Sequence, residues 1–213
     1  MGTIKAVNPT DKWRRFRAAP SVQPCLLDII MKQEKLKLYT MDMKYVRDLH
    51  NSDDRVQSVS PQIHKSNRPF VGVVIVCDKH KYCIPLDHPK DKHYKMKNDI
   101  DFTRIFDGEK LIGVLNFNNM IPVEDSLIRL LDVKTATKDT EEVKAYKNLC
   151  AKELDWVQKN QEAIVKKANK LYQMIVSDIA NQGLKRRCLD FKKLEAVLEK
   201  RKNSHMPKKQ NRK

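Results

Sequence analysis

Phe70-Val-Gly-Val-Val-Ile-Val-Cys77, followed after the polar Asp78-Lys-His80 by Lys81-Tyr-Cys-Ile-Pro-Leu86, decides the fold. Two apolar runs of strand length, rich in β-branched residues and separated by a short polar break, predict a β-hairpin. The density of valine and isoleucine in the first run predicts a strand covered on both faces. Upstream, Lys37-Leu-Tyr-Thr-Met41 reads as a short strand, and Tyr45, Val46 and Leu49 as the apolar side of an amphipathic turn or helix. Residues 50–68 read as a polar loop. Downstream, Gly113–Phe117 and Met120–Val123 form further strand segments with a break at Asn118-Asn119, and Leu127, Leu130, Leu131 and Val133 add apolar positions beyond them.

From Asp139 to about Gly183 the spacing changes. Val143, Tyr146, Leu154, Val157, Ile164, Ala168, Leu171 and Ile175 recur at three- and four-residue steps, a helical period. Asn160 is expected to separate two helices of an antiparallel hairpin, and Gly183 to stop the second. A last short helix is expected from Leu189 to Lys200. Strands first and helices afterwards indicate an α+β fold, with no alternating βαβ units. No glycine-rich phosphate loop or dinucleotide fingerprint is present, which argues against nucleotide-dependent chemistry.

A chain of 213 residues, 40% hydrophobic and 33% charged, accommodates one compact domain with tails. The expected division is an N-terminal extension over 1–36, loosely ordered or an over-long start, a single domain over 37–200, and a basic disordered tail over 201–213. Met31 lies just before the first strand, and the working protein is expected to begin near it if the start is over-long. No run approaches the roughly 18 apolar residues of a spanning helix. Ala6 stands where a myristoylation signal needs Ser or Thr. A cytoplasmic protein is the expectation. The net charge of +16, from 43 basic and 27 acidic residues, points to a polyanionic partner without naming it. The five cysteines, Cys25, Cys77, Cys83, Cys150 and Cys188, contain no Cys-x-x-Cys pair. Cys77-x2-His80-x2-Cys83 has no second pair to complete a zinc site, so reduced and mostly buried thiols are expected, with no metal and no cofactor.

The densest polar constellation follows the second strand of the hairpin. Pro85-Leu-Asp-His-Pro-Lys-Asp-Lys-His-Tyr-Lys-Met-Lys97 gathers Asp87, His88, Lys90, Lys92, His93, Lys95 and Lys97 in one loop or turn. Pro85 and Pro89 restrict the backbone around Asp87 and His88. His88 exchanges protons near neutral pH, with Asp87 or Asp91 to orient it, and the lysines neutralise phosphate oxygens. These parts suit RNA, whose 2′-hydroxyl attacks the adjacent phosphorus once a base removes its proton, while an acid protonates the departing 5′-oxygen. DNA has no such nucleophile. Taken alone, the same loop also fits a solvated face or a set of plain phosphate contacts. Tyr39, Tyr45, Phe70, Tyr94 and Phe102 are candidates to stack on bases, with Phe70 and Phe102 better suited to the core. His64 and His80 read as surface residues.

Several blocks resemble one known family, the ToxN/AbiQ ribonucleases of type III toxin–antitoxin systems, and within it the CptN-like branch. They are Lys37–Tyr45, Asn67-Arg-Pro-Phe-Val-Gly-Val-Val74, Lys81–Lys90, Lys92-His-Tyr-Lys-Met-Lys-Asn98, Asp101-Phe-Thr-Arg-Ile105 and Gly113-Val-Leu-Asn-Phe-Asn-Asn-Met-Ile-Pro-Val123. The resemblance implies a compact, strongly twisted antiparallel sheet with flanking helices, related to the MazF/Kid toxins. It implies a sequence-specific, metal-independent endoribonuclease that processes a repetitive antitoxin RNA into pseudoknots. Those pseudoknots hold the toxin inactive in a closed protein–RNA hetero-oligomer. Freed toxin cuts cellular or phage RNA and aborts phage infection.

By position, the resemblance assigns Tyr45, Arg68, Asp87, His88 and Lys90 to the active site; Lys92, His93, Tyr94, Lys95, Lys97 and Asn98, in the segment that follows, are the expected RNA contacts. Where better-known members carry Thr-Ser or Ser-Ser, this chain has Asp87-His88. An imidazole carries protons at neutral pH far better than a serine hydroxyl, so His88 is expected to be the principal acid or base, with Asp87 orienting it. Which proton it handles stays open. The rival readings are a non-catalytic, ribosome-associated RNA binder using the same lysines, and a protein-interaction module built on the helical hairpin.

Overall fold

The computed structural model describes residues 35–57, 70–75 and 80–205, with the backbone alone described for His205 and for 70–75 apart from Gly72. The expected hairpin is there as β2 (Phe70–Ile75) and β3 (Lys81–Asp87). Their register jumps from Val71↔Ile84 to Val73↔Cys83, a bulge at Gly72. Gly72 has φ 37°, the left-handed region that glycine enters without steric cost, and its N–H donates to the Lys37 carbonyl. A Cβ there would lie 2.9 Å from Leu36 Cδ2 and 3.1 Å from the Lys37 nitrogen. The bulge therefore lets the chain before β1 (Leu38–Met41) close onto β2.

β3 is the hub of the sheet. Lys81–Cys83 pair with β6 (Ile121–Val123), whereas Leu86 and Asp87 pair with Leu115 and Val114 of β5 (Lys110–Asn116). A short 3-10 turn at Phe117–Asn119 carries the chain from one to the other. β4 (Phe102–Asp107) pairs outside β5, and β1 pairs with both β2 and β7 (Ile128–Leu130). Every pairing is antiparallel, and the order is β4-β5-β3-β2-β1-β7, with β6 alongside β3.

Six helices surround the sheet among the described residues. α1 (Met43–Ser52) is capped by Asp42, which accepts from the Tyr45 N–H at 2.8 Å, and buries Tyr45, Val46 and Leu49. α2 (Asp91–Lys95) is a single turn after β3. α3 (Glu141–Lys159) and α4 (Gln161–Val176) form the expected hairpin, parted at Asn160. Thr140 caps α3, and Glu141 and Glu142 complement its N-terminal dipole. α5 (Gln182–Arg187) and α6 (Phe191–His205) follow. Glu195 of α6, 5% exposed, accepts from the hydroxyls of Tyr82 at 2.7 Å and Tyr172 at 2.8 Å. Lys192 lies 3.0 Å and His80 Nε2 3.6 Å from its other oxygen. The rings of Tyr82, Tyr172 and Phe191 pack at 5.7 to 5.9 Å around it, so β3, α4 and α6 meet on one carboxylate.

Several expectations need correction. Residues 102–107 form an edge strand that the hydropathy pattern did not mark. Gly183 does not stop α4: the helix ends at Ser177, with Asp178 taking the left-handed turn at φ 59°, and Gly183 lies inside α5. The last helix runs to His205, so Arg201 belongs to it and not to a disordered tail; its guanidinium meets Asp48 at 2.7 Å and Asp42 at 3.3 Å. Leu36, expected in the extension, is 2% exposed and tied by backbone hydrogen bonds to Gln161 and Gln158. His80, expected at the surface, is held by Glu195.

Two tests follow from the packing. Gly72→Ala is expected to cost about 2 kcal/mol in denaturant unfolding, because the new methyl meets Leu36 and the backbone is left-handed. Glu153 of α3, 2% exposed, lies against Gly113, and burial pushes its carboxyl up to about 8. Such a group holds its proton more tightly folded than unfolded, so the fold weakens as pH rises from about 4.5 to about 8. The full loss is on the order of 4 kcal/mol. Glu153→Gln should flatten that fall in unfolding curves measured from pH 5 to 9.

Candidate active site

β3 ends in Asp87 and β5 ends in Asn116. Asp87 pairs with Val114, so strand alternation puts Asn116 on the same face as Asp87. The Asn116 amide donates to Asp87 Oδ2 at 2.5 Å, which fixes the carboxylate at the strand end. Three residues on, the chain folds back on itself. The Lys90 N–H donates to His93 Nδ1 at 3.0 Å, and the Lys90 carbonyl accepts from the His93 N–H at 2.7 Å. His93 is 6% exposed, with its ring 5.5 Å from that of Phe102. Burial, and then the charge of Lys92, hold its imidazole below the usual 6.5, with Asp87 pulling the other way.

These groups border an open cleft of about 540 Å³, with Asp87, Lys90, His93, Lys97, Asn116 and Arg187 on its walls. Its floor is braced by the buried Asp101, which accepts from Arg187 Nε at 2.8 Å, and by the Arg187 carbonyl, which accepts from Asn118 at 3.0 Å. Lys167 of α4 reaches the Asp99 carbonyl at 3.0 Å and Thr103 Oγ1 at 2.5 Å, and burial lowers its pKa. Lys90, Lys92 and Lys97 are exposed and form no ion pair with any described residue, whereas Lys81, Lys144, Lys147, Lys152 and Lys159 are all neutralised by carboxylates. Lys90, Lys92 and Lys97 thus line the cleft that holds Asp87 without an ion pair among the described residues.

The expected site residues divide accordingly. Asp87 and Lys90 share the cleft. His88 is exposed beside them, off the cleft walls, and makes no hydrogen bond with the described residues; the Asp87 carboxylate accepts from Asn116. Tyr45 is fully buried in the core, with its hydroxyl donated to the Pro122 carbonyl at 2.7 Å and Arg201 over its ring. Pro122 pairs with Tyr82, which places Tyr45 about 16 Å along β3 from Asp87 at the usual strand rise of ~3.3 Å. Arg68 lies outside the described residues, as do Phe70's side chain, His64, Cys25 and Cys77. His93 is an anchor for the Lys90 turn and not an exposed RNA contact. Tyr94, 58% exposed, and Lys95 face solvent, and Asn98 accepts from the Arg104 N–H at 2.8 Å. Phe102 belongs to the core with Leu111 and Val114, and Cys83, Cys150 and Cys188 are buried free thiols. Burial raises Cys150 to about 11 and Cys188 to about 12, so neither is a ready nucleophile. Among the described residues no group of His, Cys, Asp and Glu could hold a metal ion.

Residue reasoning missed Asn116, Asp101 and Arg187. Asn116 opens the Asn-Phe-Asn-Asn block, but only the register of β5 against β3 brings its amide to Asp87. Arg187 arrives from a helix 86 positions beyond Asp101.

The family described as toxin ToxN of type III toxin–antitoxin systems matches residues 37–199. The chain belongs to that family. Endoribonuclease ToxN of Bacillus thuringiensis subsp. kurstaki is 32% identical over 168 residues, covering 75% of this chain and 80% of the relative. A solved structure from work on selective toxin inhibition by a non-coding RNA pseudoknot superposes with a TM-score of 0.65 at 30% identity, over 79% of this chain and 99% of that one. Another, from a bacterial antiviral system regulated by a processed non-coding RNA, gives 0.64 at 26% identity, over 75% and 95%. The antisheet-and-helix architecture described above is therefore that of the ToxN toxins.

Proposed function

We propose that this chain is the endoribonuclease toxin of a type III toxin–antitoxin system and that it cuts RNA at the Asp87 cleft. The observation that carries the site assignment is the fixed Asp87 carboxylate, in a cleft also lined by Lys90, Lys92 and Lys97, which have no acidic partners among the described residues. In the proposed reaction the substrate's 2′-oxygen loses its proton, forms a bond to phosphorus, and the bond to the 5′-oxygen breaks as that oxygen takes up a proton. The products are a 2′,3′-cyclic phosphate and a 5′-hydroxyl. His88, exposed and without a hydrogen-bond partner among the described residues, is the group assigned to exchange protons with the substrate. Asp87, held by Asn116, is the second proton-accepting group, and Lys90 stabilises the charge that builds on the phosphate.

The same surface suits an inhibitory RNA. A structural relative is described as a toxin inhibited by a non-coding RNA pseudoknot, and another as part of an antiviral system. We assign the same kind of partner here: an antitoxin RNA of pseudoknot repeats that fills the cleft in a closed protein–RNA assembly. Cellular or phage RNA is then the substrate of freed toxin, acting in the cytoplasm in abortive infection. No described helix is long and apolar enough to cross a membrane.

Cleavage of RNA in excess chelator, with cyclic phosphate ends and with 2′-deoxy substrates intact, is the expected result. His88→Ala should lower the cleavage rate by about a hundredfold or more while leaving antitoxin RNA bound. Full-rate cleavage by a folded His88→Ala protein would move the proton-transfer role to another group, and scission that depends on added magnesium would remove the mechanism. Replacing Lys90, Lys92 or Lys97 with alanine should each reduce the slope of log affinity against log salt by about 0.7 for single-stranded RNA.

A further inference from the structure

The Lys90 turn is closed by an unusual pair of contacts. His93 gives its backbone N–H to the Lys90 carbonyl, as the first bond of a helical turn does. In addition, its ring nitrogen Nδ1 accepts the Lys90 N–H at 3.0 Å. The Lys90 side chain makes no contact that would cap α2, so the imidazole supplies the acceptor at this helix start. A ring nitrogen accepts only when it carries no proton, which fixes the tautomer with hydrogen on Nε2. Phe102 backs the ring, so it cannot swing away without exposing the apolar cluster of Phe102, Leu111 and Val114.

We propose that His93 is a positioning residue that, in its neutral form, locks the Lys90 turn and so holds the Lys90 ammonium at the cleft, and that protonation of the ring unlocks it. The proposal rests on the ribonuclease reading above for its catalytic consequence, and on the Lys90 to His93 geometry for its structural one. An imidazolium has donors at both nitrogens, so the Lys90 N–H would face another N–H and the turn would open. The charged groups that act on the ring are Lys90 and Lys92 on its own turn and Asp87 from β3; Lys97, Asp99 and Asp101 before β4, and Arg187 from α5, line the same cleft. Burial and the charges of Lys92 and Lys90 favour the neutral ring, which shifts the opening of the lock toward more acid pH. Extra positive charge alone would strengthen attraction to RNA, so the lock predicts a loss in kcat with little rise in KM. A mere electrostatic role predicts the reverse.

Two substitutions and one spectroscopic signal test this. In the full chain, the Lys90 amide resonance should titrate with the same midpoint, below 6.5, as the His93 ring, and lose its protection from hydrogen exchange as the ring takes its proton. His93→Leu, which fills the space and offers no acceptor, should lower kcat about tenfold or more at pH 7.5. His93→Asn, whose amide oxygen can take the place of Nδ1, should recover most of that loss, and its kcat should lack the His93 part of the acid limb. Equal kcat in His93→Leu and wild type, or a Lys90 amide indifferent to the titration of His93, would overturn the proposal. If His93→Leu does not fold, the wild-type amide titration and the His93→Asn pH profile decide it. If the wild-type chain does not cut RNA at all, the ribonuclease reading falls. The amide titration would still uphold or overturn the lock.

Discussion

β3 has one free edge and two strands to satisfy along it. β6 takes the end at Lys81–Cys83 and β5 the end at Leu86–Asp87, and the Phe117–Asn119 turn lets one continuous segment do both. That division bends the sheet and determines where each neighbour stops. β5 terminates at Asn116 beside the end of β3, so the Asn116 amide meets the Asp87 carboxylate. The other end of β3 is fixed through Tyr82, whose hydroxyl reaches Glu195 alongside that of Tyr172. The strand that carries the catalytic candidate is thus gripped by backbone on both edges and by a buried carboxylate from the last helix. A rigid strand feeding a short polar turn is the arrangement that precise chemistry on a phosphate requires.

Charge acts at two scales. The excess of basic residues gives the molecule a general attraction for polyanions, but most of the lysines of the helical half are neutralised locally by aspartate or glutamate. Among the described residues Lys90, Lys92 and Lys97 are not, and they border a cleft in which a carboxylate is fixed by an amide. Proximity to Asp87, more than net charge, is what distinguishes these cations from the rest. The buried thiols and the hydroxyl of Tyr45 are kept out of the chemistry by the opposite means: desolvation raises the pKa of each, and Tyr45 is also tied to a core carbonyl.

Much of the scaffold was legible because it follows from local periodicity. The β2–β3 hairpin, the α3–α4 hairpin parted at Asn160 and the break at Asn118-Asn119 all appear where the pattern of apolar residues and turn formers places them. β4 was missed because Phe102, Arg104 and Phe106 mix apolar and charged positions along an edge, and its strand character comes from pairing with β5. Gly183 misled because Asp178 takes the left-handed turn that glycine usually provides. Among the functional candidates, Asp87 and Lys90 were found together because they are neighbours in the chain. Their supports, Asn116 and Arg187, are brought in by strand register and by a distant helix, which no local pattern encodes. His93 was expected among the RNA contacts because it sits in a lysine-rich segment, and nothing in that local pattern shows its ring turning inward to meet Phe102.

α6 closes the molecule from its far end. Phe191, Leu194 and Leu198 are buried, Glu195 gathers Tyr82 and Tyr172, and Arg201 reaches back to Asp42 and Asp48 at the start of the domain. β3 is therefore braced at its Tyr82 end by a helix that shares no hydrogen-bonded ladder with it. Anything that frays α6 slackens the strand whose opposite tip presents Asp87, so a surface remote from the cleft has leverage on its geometry.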